Sequence, residues 1–324
     1  MDLPSTTDIR SAALGLEGKA RVTPLLESQI LNERLGGRLL IKPEMLQVTG
    51  SFKFRGAYNF ISRIPEDQKK HGVVAFSSGN HAQGVAAASK MFGMRSTIIM
   101  PEDAPEIKIS NTRALGADVV LYNRKKEARE NIGRRITEET GATLIRPYDD
   151  PLIIAGQGTI GLEVAAQTRA MGIVIDALLS PCGGGGLVAG TALALADESP
   201  DTEIYSVEPE DYDDTAMSLI AGERLANFPR KVSFCDALLA PEPGELTFAI
   251  NSRLLTGGLA VSDDEVGRAM QVAFREFKVV SEPGGAVALA AALSGAYDIT
   301  GKTAVVVMSG GNVDGAIFAA ALQG

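Results

Sequence analysis

The 324-residue chain has no tryptophan, 5% aromatic residues, two cysteines and two histidines. Each shortage removes a class of function. Stacking platforms for single strands need aromatics, and phosphate-backbone binding needs a basic face, whereas the formal net charge here is -9. No nucleic-acid partner is expected. Cys182 and Cys235 lie far apart and in no C-x-x-C pair, which argues against a disulfide framework or a cysteine zinc site and for a reducing, cytoplasmic setting. His71 and His81 are too few for a histidine-rich metal centre. No apolar run reaches the roughly 18 residues of a membrane span, and Met1-Asp2-Leu3-Pro4 lacks the basic and apolar regions of a signal peptide. No membrane partner is expected either.

What is present is an alternation of short apolar strands with longer helical patterns. Strands are expected at 39–42, 73–76, 96–100, 118–121, 143–145, 177–180, 203–207 and 304–308. Helices are expected at 82–92, 107–115, 126–140, 158–171 and 187–196. Continuous β-rich runs separated by helices predict parallel sheets covered on both faces. The strands from Val73 to Ile145 suit a small sheet of their own, and those from Ala177 onward a larger one. Ligands bind such sheets at the loops that follow the strand carboxyl ends.

Several motifs fall there. Pro181-Cys182-Gly183-Gly184-Gly185-Gly186 follows a strand and opens a helix at Leu187; the glycines allow close backbone approach, and the helix start supplies free N–H groups, so the run reads as a phosphate cradle. Gly184-x-Gly186-x-x-Ala189 also satisfies the dinucleotide fingerprint, with Glu208 at the end of the next strand as the ribose acid. A nicotinamide-dependent dehydrogenase is therefore an open alternative. Ser77-Ser78-Gly79-Asn80-His81 puts polar groups at a helix start, suited to a substrate carboxylate. Ser309-Gly310-Gly311-Asn312 ends the last strand, and Glu208-Pro209-Glu210-Asp211-Tyr212-Asp213-Asp214 sets five carboxylates in seven residues, either a solvated loop or hard ligands for Mg²⁺ or Ca²⁺. Lys53, between Phe52 and Phe54 in Thr49-Gly50-Ser51-Phe52-Lys53-Phe54-Arg55-Gly56, is oddly placed for a surface cation. It either snorkels to solvent or spends its amine on a Schiff base with an aldehyde.

Taken in order, Ser-Phe-Lys at Lys53, Ser-Ser-Gly-Asn-His at Ser77–His81, the four-glycine loop and Ser-Gly-Gly-Asn at Ser309 resemble the fold-type II pyridoxal phosphate enzymes, in the branch of threonine/serine dehydratases and serine racemases. Ala155-Gly156-Gln157-Gly158-Thr159 adds to the likeness, which runs from Thr23-Pro24 to Asp314. The resemblance implies two three-layer αβα domains with mostly parallel sheets, tryptophan synthase β-like, with the cofactor in the cleft between them. It implies a large domain of 1–70 plus 151–324 and an inserted small domain of 71–150. Pyridoxal 5'-phosphate would be held by Lys53 through its aldehyde, by Gly183, Gly184, Gly185, Gly186 and Leu187 through its phosphate, by Asn80 at its hydroxyl, by Phe52 on its ring and by Ser309 at its pyridine nitrogen. Ser77, Asn80 and His81 would bind the substrate carboxylate. Relatives among the serine racemases hold a divalent cation at the spacing of Glu208, Tyr212 and Asp214.

The implied activity is ammonia release from a small β-hydroxy amino acid, threonine or serine, by β-elimination, with serine racemase and 3-hydroxyaspartate dehydratase as alternatives. Ser78 marks that branch point: opposite Lys53, its hydroxyl would return a proton to Cα and racemise. Arg135 and Arg146 are the cations considered for a second substrate carboxylate. A non-catalytic pyridoxal phosphate carrier is the other-class alternative. The family commonly forms homodimers or larger homo-oligomers.

Overall fold

The computed structural model describes residues 3–77, 79–104 and 106–323, so Ser78 lies outside the described residues. The strands are β1 (Leu26–Glu27), β2 (Arg38–Pro43), β3 (Val73–Phe76), β4 (Ser96–Pro101), β5 (Asp118–Tyr122), β6 (Thr143–Ile145), β7 (Ala177–Pro181), β8 (Glu203–Pro209), β9 (Gly257–Val261) and β10 (Thr303–Met308). Six form one sheet in the order β1-β2-β10-β7-β8-β9, and four form a second in the order β5-β4-β3-β6. Among the strand pairs of the described residues, only β1–β2 is antiparallel. The helices that matter below are α1 (Lys53–Ser62), α2 (Asn80–Met91), α3 (Glu106–Ala114), α4 (Arg129–Thr140), α5 (Pro151–Ala170), α6 (Gly186–Glu198), α7 (Asp214–Ala221), α8 (Glu245–Leu254) and α9 (Pro283–Ser294).

The eight expected strands all occur, lengthened by up to two residues. Their unbroken apolar character has a simple cause. Leu39, Leu40 and Ile41 of β2 and Val305, Val306, Val307 and Met308 of β10 are fully buried, so neither sheet face carries polar residues there. Two strands escaped the sequence pattern. β1 has two residues, and β9 opens with Gly257-Gly258, which weakens β propensity. Gly258 is required by packing, since a Cβ there would lie 2.5 Å from the Cβ of Ala216 in α7. α9 was missed because its first turn, Pro283-Gly284-Gly285, reads as a loop; proline instead sits at the helix start, where its missing N–H costs nothing.

α1, α5 and α6 stack closely. A Cβ on Gly156 of α5 would come 2.6 Å from the Cα of Gly56 in α1, and one on Gly158 would come 2.7 Å from the Gly190 carbonyl in α6. The Gly-Gln-Gly run of the sequence is therefore a helix-packing device. Beneath α1 lies a buried ion cluster. Arg55 is bidentate to Glu44 at 2.7 and 2.9 Å and to Glu163 at 2.6 and 3.0 Å, while Lys42 reaches Glu163 at 2.6 Å. Removing one partner from such a buried cluster typically costs about 3–5 kcal/mol, because it strands a charge. The cluster fixes the helix that begins at Lys53. Among the described residues, no helix is long and apolar enough to cross a membrane.

Candidate active site

A single cavity receives the carboxyl ends of β3, β7 and β10. It brings together Phe52, Lys53, Ser77, Asn80, His81, Gly183 to Leu187, and Ser309. The chain enters α1 through two left-handed residues, Thr49 at φ 66° and Gly50 at φ 72°. Ser51 then bridges to Gly310, and the Phe52 N–H donates to the Ser309 carbonyl at 3.1 Å. Lys53 is thereby tied to the end of β10.

The Lys53 amine donates to the Pro147 carbonyl at 2.7 Å and lies 5.1 Å from the centroid of the Phe52 ring. Burial alone acts on it and lowers its pKa to about 8. The neighbouring buried cations differ: Lys42, Arg55 and Lys108 all hold carboxylates. A half-buried, desolvated amine with a carbonyl for company, poised near neutrality, is suited to act as nucleophile and base.

α6 begins directly after the glycine loop, and among the described residues no side chain caps it. Uncapped helix N–H groups with a positive dipole end attract an anion. The glycines are also needed for space. A Cβ on Gly184 would run into the Tyr148 ring, and Gly185 adopts φ 91° with Thr247 and Asn251 behind it. An uncapped anion site and a deprotonatable amine in one cavity are what a phosphorylated aldehyde requires, so the residues fit pyridoxal phosphate. The dinucleotide alternative loses its ribose acid. Glu208 is fully buried, and its two oxygens accept the Thr215 and Ala216 N–H groups at 3.1 and 2.9 Å.

At the start of α2, Ser77 Oγ accepts the Gly79 N–H at 3.1 Å. His81 is buried, and burial, then the nearby Lys53 charge, push its pKa down to about 3. It is neutral, with Nε2 3.3 Å from the Ile145 carbonyl, and that contact assigns the proton to Nε2. Glu208 and Asp214 lie near each other. Burial and then the Asp214 charge raise Glu208 well above the usual carboxylate range, and burial raises Asp214 to about 7. One Asp214 oxygen is buried without a hydrogen-bond partner among the described residues. Among the described residues, no three His, Cys, Asp or Glu side chains converge as metal ligands, so a cation here would need the Tyr212 backbone carbonyl as well.

The sequence reading missed Lys108, Arg124, Arg129, Tyr148 and Asp236 as cavity residues. Arg135 and Arg146 are exposed and do not line the cavity. Arg129 does, with its guanidinium carbon 5.0 Å from the centroid of the Phe76 ring and its Nε 2.8 Å from Glu130. No local sequence signal separates it from the other arginines of α4.

A family model described as pyridoxal-phosphate dependent enzyme matches residues 16–310. The chain is 43% identical, over all of both chains, to the L-threo-3-hydroxyaspartate ammonia-lyase of a Pseudomonas species. It is 40% identical to the L-threonine ammonia-lyase of Thermotoga maritima, over 95% of this chain and 75% of that one. The solved structure of maize serine racemase superposes with a TM-score of 0.92 at 34% identity, covering 99% of this chain and 98% of that one.

The Lys53 environment predicts a pH signature in the protein without cofactor. Trace acylation read by peptide mass spectrometry should show Lys53 half-reactive at about pH 8. A Lys53 that is half-reactive only near the free-amine value of about 10.4 contradicts its desolvation as an unpaired amine.

Proposed function

The chain belongs to the pyridoxal-phosphate dependent enzyme family, and from that premise we propose an ammonia-lyase for β-hydroxy amino acids that prefers 3-hydroxyaspartate to threonine and serine. The cofactor, when bound, supplies the electron sink that lets an amino acid shed its α proton and then its β substituent. Gly183, Gly184, Gly185, Gly186 and Leu187 would hold its phosphate, Asn80 its hydroxyl, Ser309 its ring nitrogen, Phe52 its ring face and Lys53 its aldehyde. Ser309 is neutral, so a ring nitrogen facing it would stay weakly protonated, which would favour expulsion of a leaving group. The unpaired Lys53 amine carries this reading. With a pKa of about 8, it takes the Cα proton on Nζ without a separate base.

The substrate α-carboxylate would meet Ser77, Asn80 and His81 at the start of α2. His81 serves through its backbone N–H, because its ring is neutral and its Nε2 is committed to Ile145. Residues 71–150, as an inserted small unit, would bring Ser77–His81 and Arg129 against Lys53 and the glycine loop, shielding the proton transfer from water. Loss of the α proton and the β-hydroxyl as water, followed by hydrolysis, nets a 2-oxo acid and ammonia.

The substrate choice rests on Arg129. Serine and threonine offer it no partner, whereas the second carboxylate of 3-hydroxyaspartate supplies one, and the Phe76 face keeps the guanidinium at the cavity. A panel of L-serine, L-threonine and L-threo-3-hydroxyaspartate, scored for oxo acid and ammonia, tests this. Arg129→Leu should raise KM for 3-hydroxyaspartate at least about tenfold more than for threonine, the scale of one charge-assisted contact, and Lys53→Ala should abolish turnover of all three. Equal loss across the panel in Arg129→Leu removes the proposed preference.

We also propose a Mg²⁺ or Ca²⁺ site at Glu208, the Tyr212 carbonyl and Asp214, supported by the paired buried carboxylates and the unpartnered Asp214 oxygen. It would brace the turn from β8 into α7. Saturating Mg²⁺ or Ca²⁺ should raise Tm by about 2–4 °C, reversibly with a chelator, and Asp214→Asn should erase the shift. A Tm indifferent to both ions eliminates the site.

A further inference from the structure

We infer that Asn312 and Glu282 are positioning residues that lock the side-chain amide of Asn80 in one orientation, so that it offers the cavity a donor and never an acceptor. This rests on the reading above in which Asn80 meets the cofactor hydroxyl. The chemistry of the contacts fixes every atom in the chain. The Thr49 carbonyl can only accept, and an Asn312 side-chain atom lies 2.8 Å from it, so that atom is the NH₂ nitrogen. The same nitrogen lies 2.8 Å from one end of the Asn80 amide, which must therefore be the oxygen. The other end of Asn80 is then NH₂, and it donates to a Glu282 carboxyl oxygen.

Glu282 is held as the acceptor at the far end. It is buried at the start of α9, and burial raises its pKa, but Lys108 stands 3.3 Å from its second oxygen and favours the ionised form. Lys108 is in turn held by Asp236 at 2.7 Å. Flipping the Asn80 amide would set oxygen against oxygen at Glu282 and NH₂ against NH₂ at Asn312. Only one N–H of Asn80 stays uncommitted among the described residues, and Asn80 lines the cavity.

The clamp explains glycines that the cradle does not. A Cβ on Gly310 would collide with the Glu282 oxygen and come 3.2 Å from the Asn80 nitrogen, and a Cβ on Gly50 would come 2.8 Å from the Asn312 oxygen. It also gives the terminal Asn of Ser309-Gly310-Gly311-Asn312 a task. The two hydrogens of its amide join the left-handed Thr49, four residues ahead of Lys53, to the first residue of α2. The amine and the hydroxyl donor are thereby set by one side chain.

The test is equilibrium dialysis of the cofactor-free protein against pyridoxal phosphate, with Tm of each cofactor-free variant measured in parallel. Asn312→Asp, nearly isosteric but unable to donate, and Glu282→Leu should each weaken binding about tenfold, the worth of one hydrogen bond to an ionised oxygen. Glu282→Gln keeps an acceptor and should stay within about threefold of wild type, a rescue that a purely electrostatic role does not predict. Wild-type affinity in both Asn312→Asp and Glu282→Leu, or equal losses in Glu282→Gln and Glu282→Leu, overturns the clamp. Asn80→Ala separates the two layers. Wild-type affinity there refutes the contact between Asn80 and the cofactor, whereas weakened binding in Asn80→Ala beside intact binding in Asn312→Asp refutes the clamp alone. If Asn312→Asp fails to fold, the Glu282 pair decides.

Discussion

Everything around the cavity depends on keeping one half-buried amine desolvated and without a carboxylate. An isolated buried ammonium is costly, so it sheds its proton instead. The surrounding cations each have acids to hand: Arg55 takes Glu44 and Glu163, Lys108 takes Asp236 and Glu282, and Lys42 shares Glu163, although burial still lowers its pKa. Lys53 is left with the Pro147 carbonyl. Arg55 sits two residues further along the same helix, so the ion cluster anchors α1 just past its first residue.

Close backbone approach is the second condition. Gly56 against Gly156, and Gly158 against Gly190, let three helices stack where ordinary side chains would hold them apart. Gly84 of α2 brings the small-sheet side up to the Lys53 backbone, where a Cβ would lie 3.1 Å away. The uncapped start of α6 and the start of α2 then point their unsatisfied N–H groups at the same space, one suited to a phosphate and the other to a carboxylate.

Much of this was legible before any coordinates. Parallel strands buried on both faces betray themselves as unbroken apolar runs, and β2, β7 and β10 do so plainly. The glycine loop, Lys53, the serine-asparagine run and Ser309 are local words in the sequence; they meet because the glycine loop and Ser309 leave the carboxyl ends of β7 and β10 in one sheet, the serine-asparagine run leaves β3 of the other, and Lys53 is tied to the end of β10. Arg129, Lys108 and Asp236 were not legible, because they reach the cavity from helix and loop positions that only tertiary packing brings near. Gly257-Gly258 hid a strand for a related reason: the glycine serves a contact with α7 rather than the strand's own propensity.

The central claim is that Lys53, unlike the paired Lys42 and Lys108, has an amine free for an aldehyde. Borohydride reduction of the protein loaded with pyridoxal phosphate, followed by peptide mapping, tests it directly. The account predicts a single pyridoxyl adduct on the peptide that carries Lys53 and none on Lys42 or Lys108. An adduct on either of those paired lysines, or spread over the exposed ones, would contradict it.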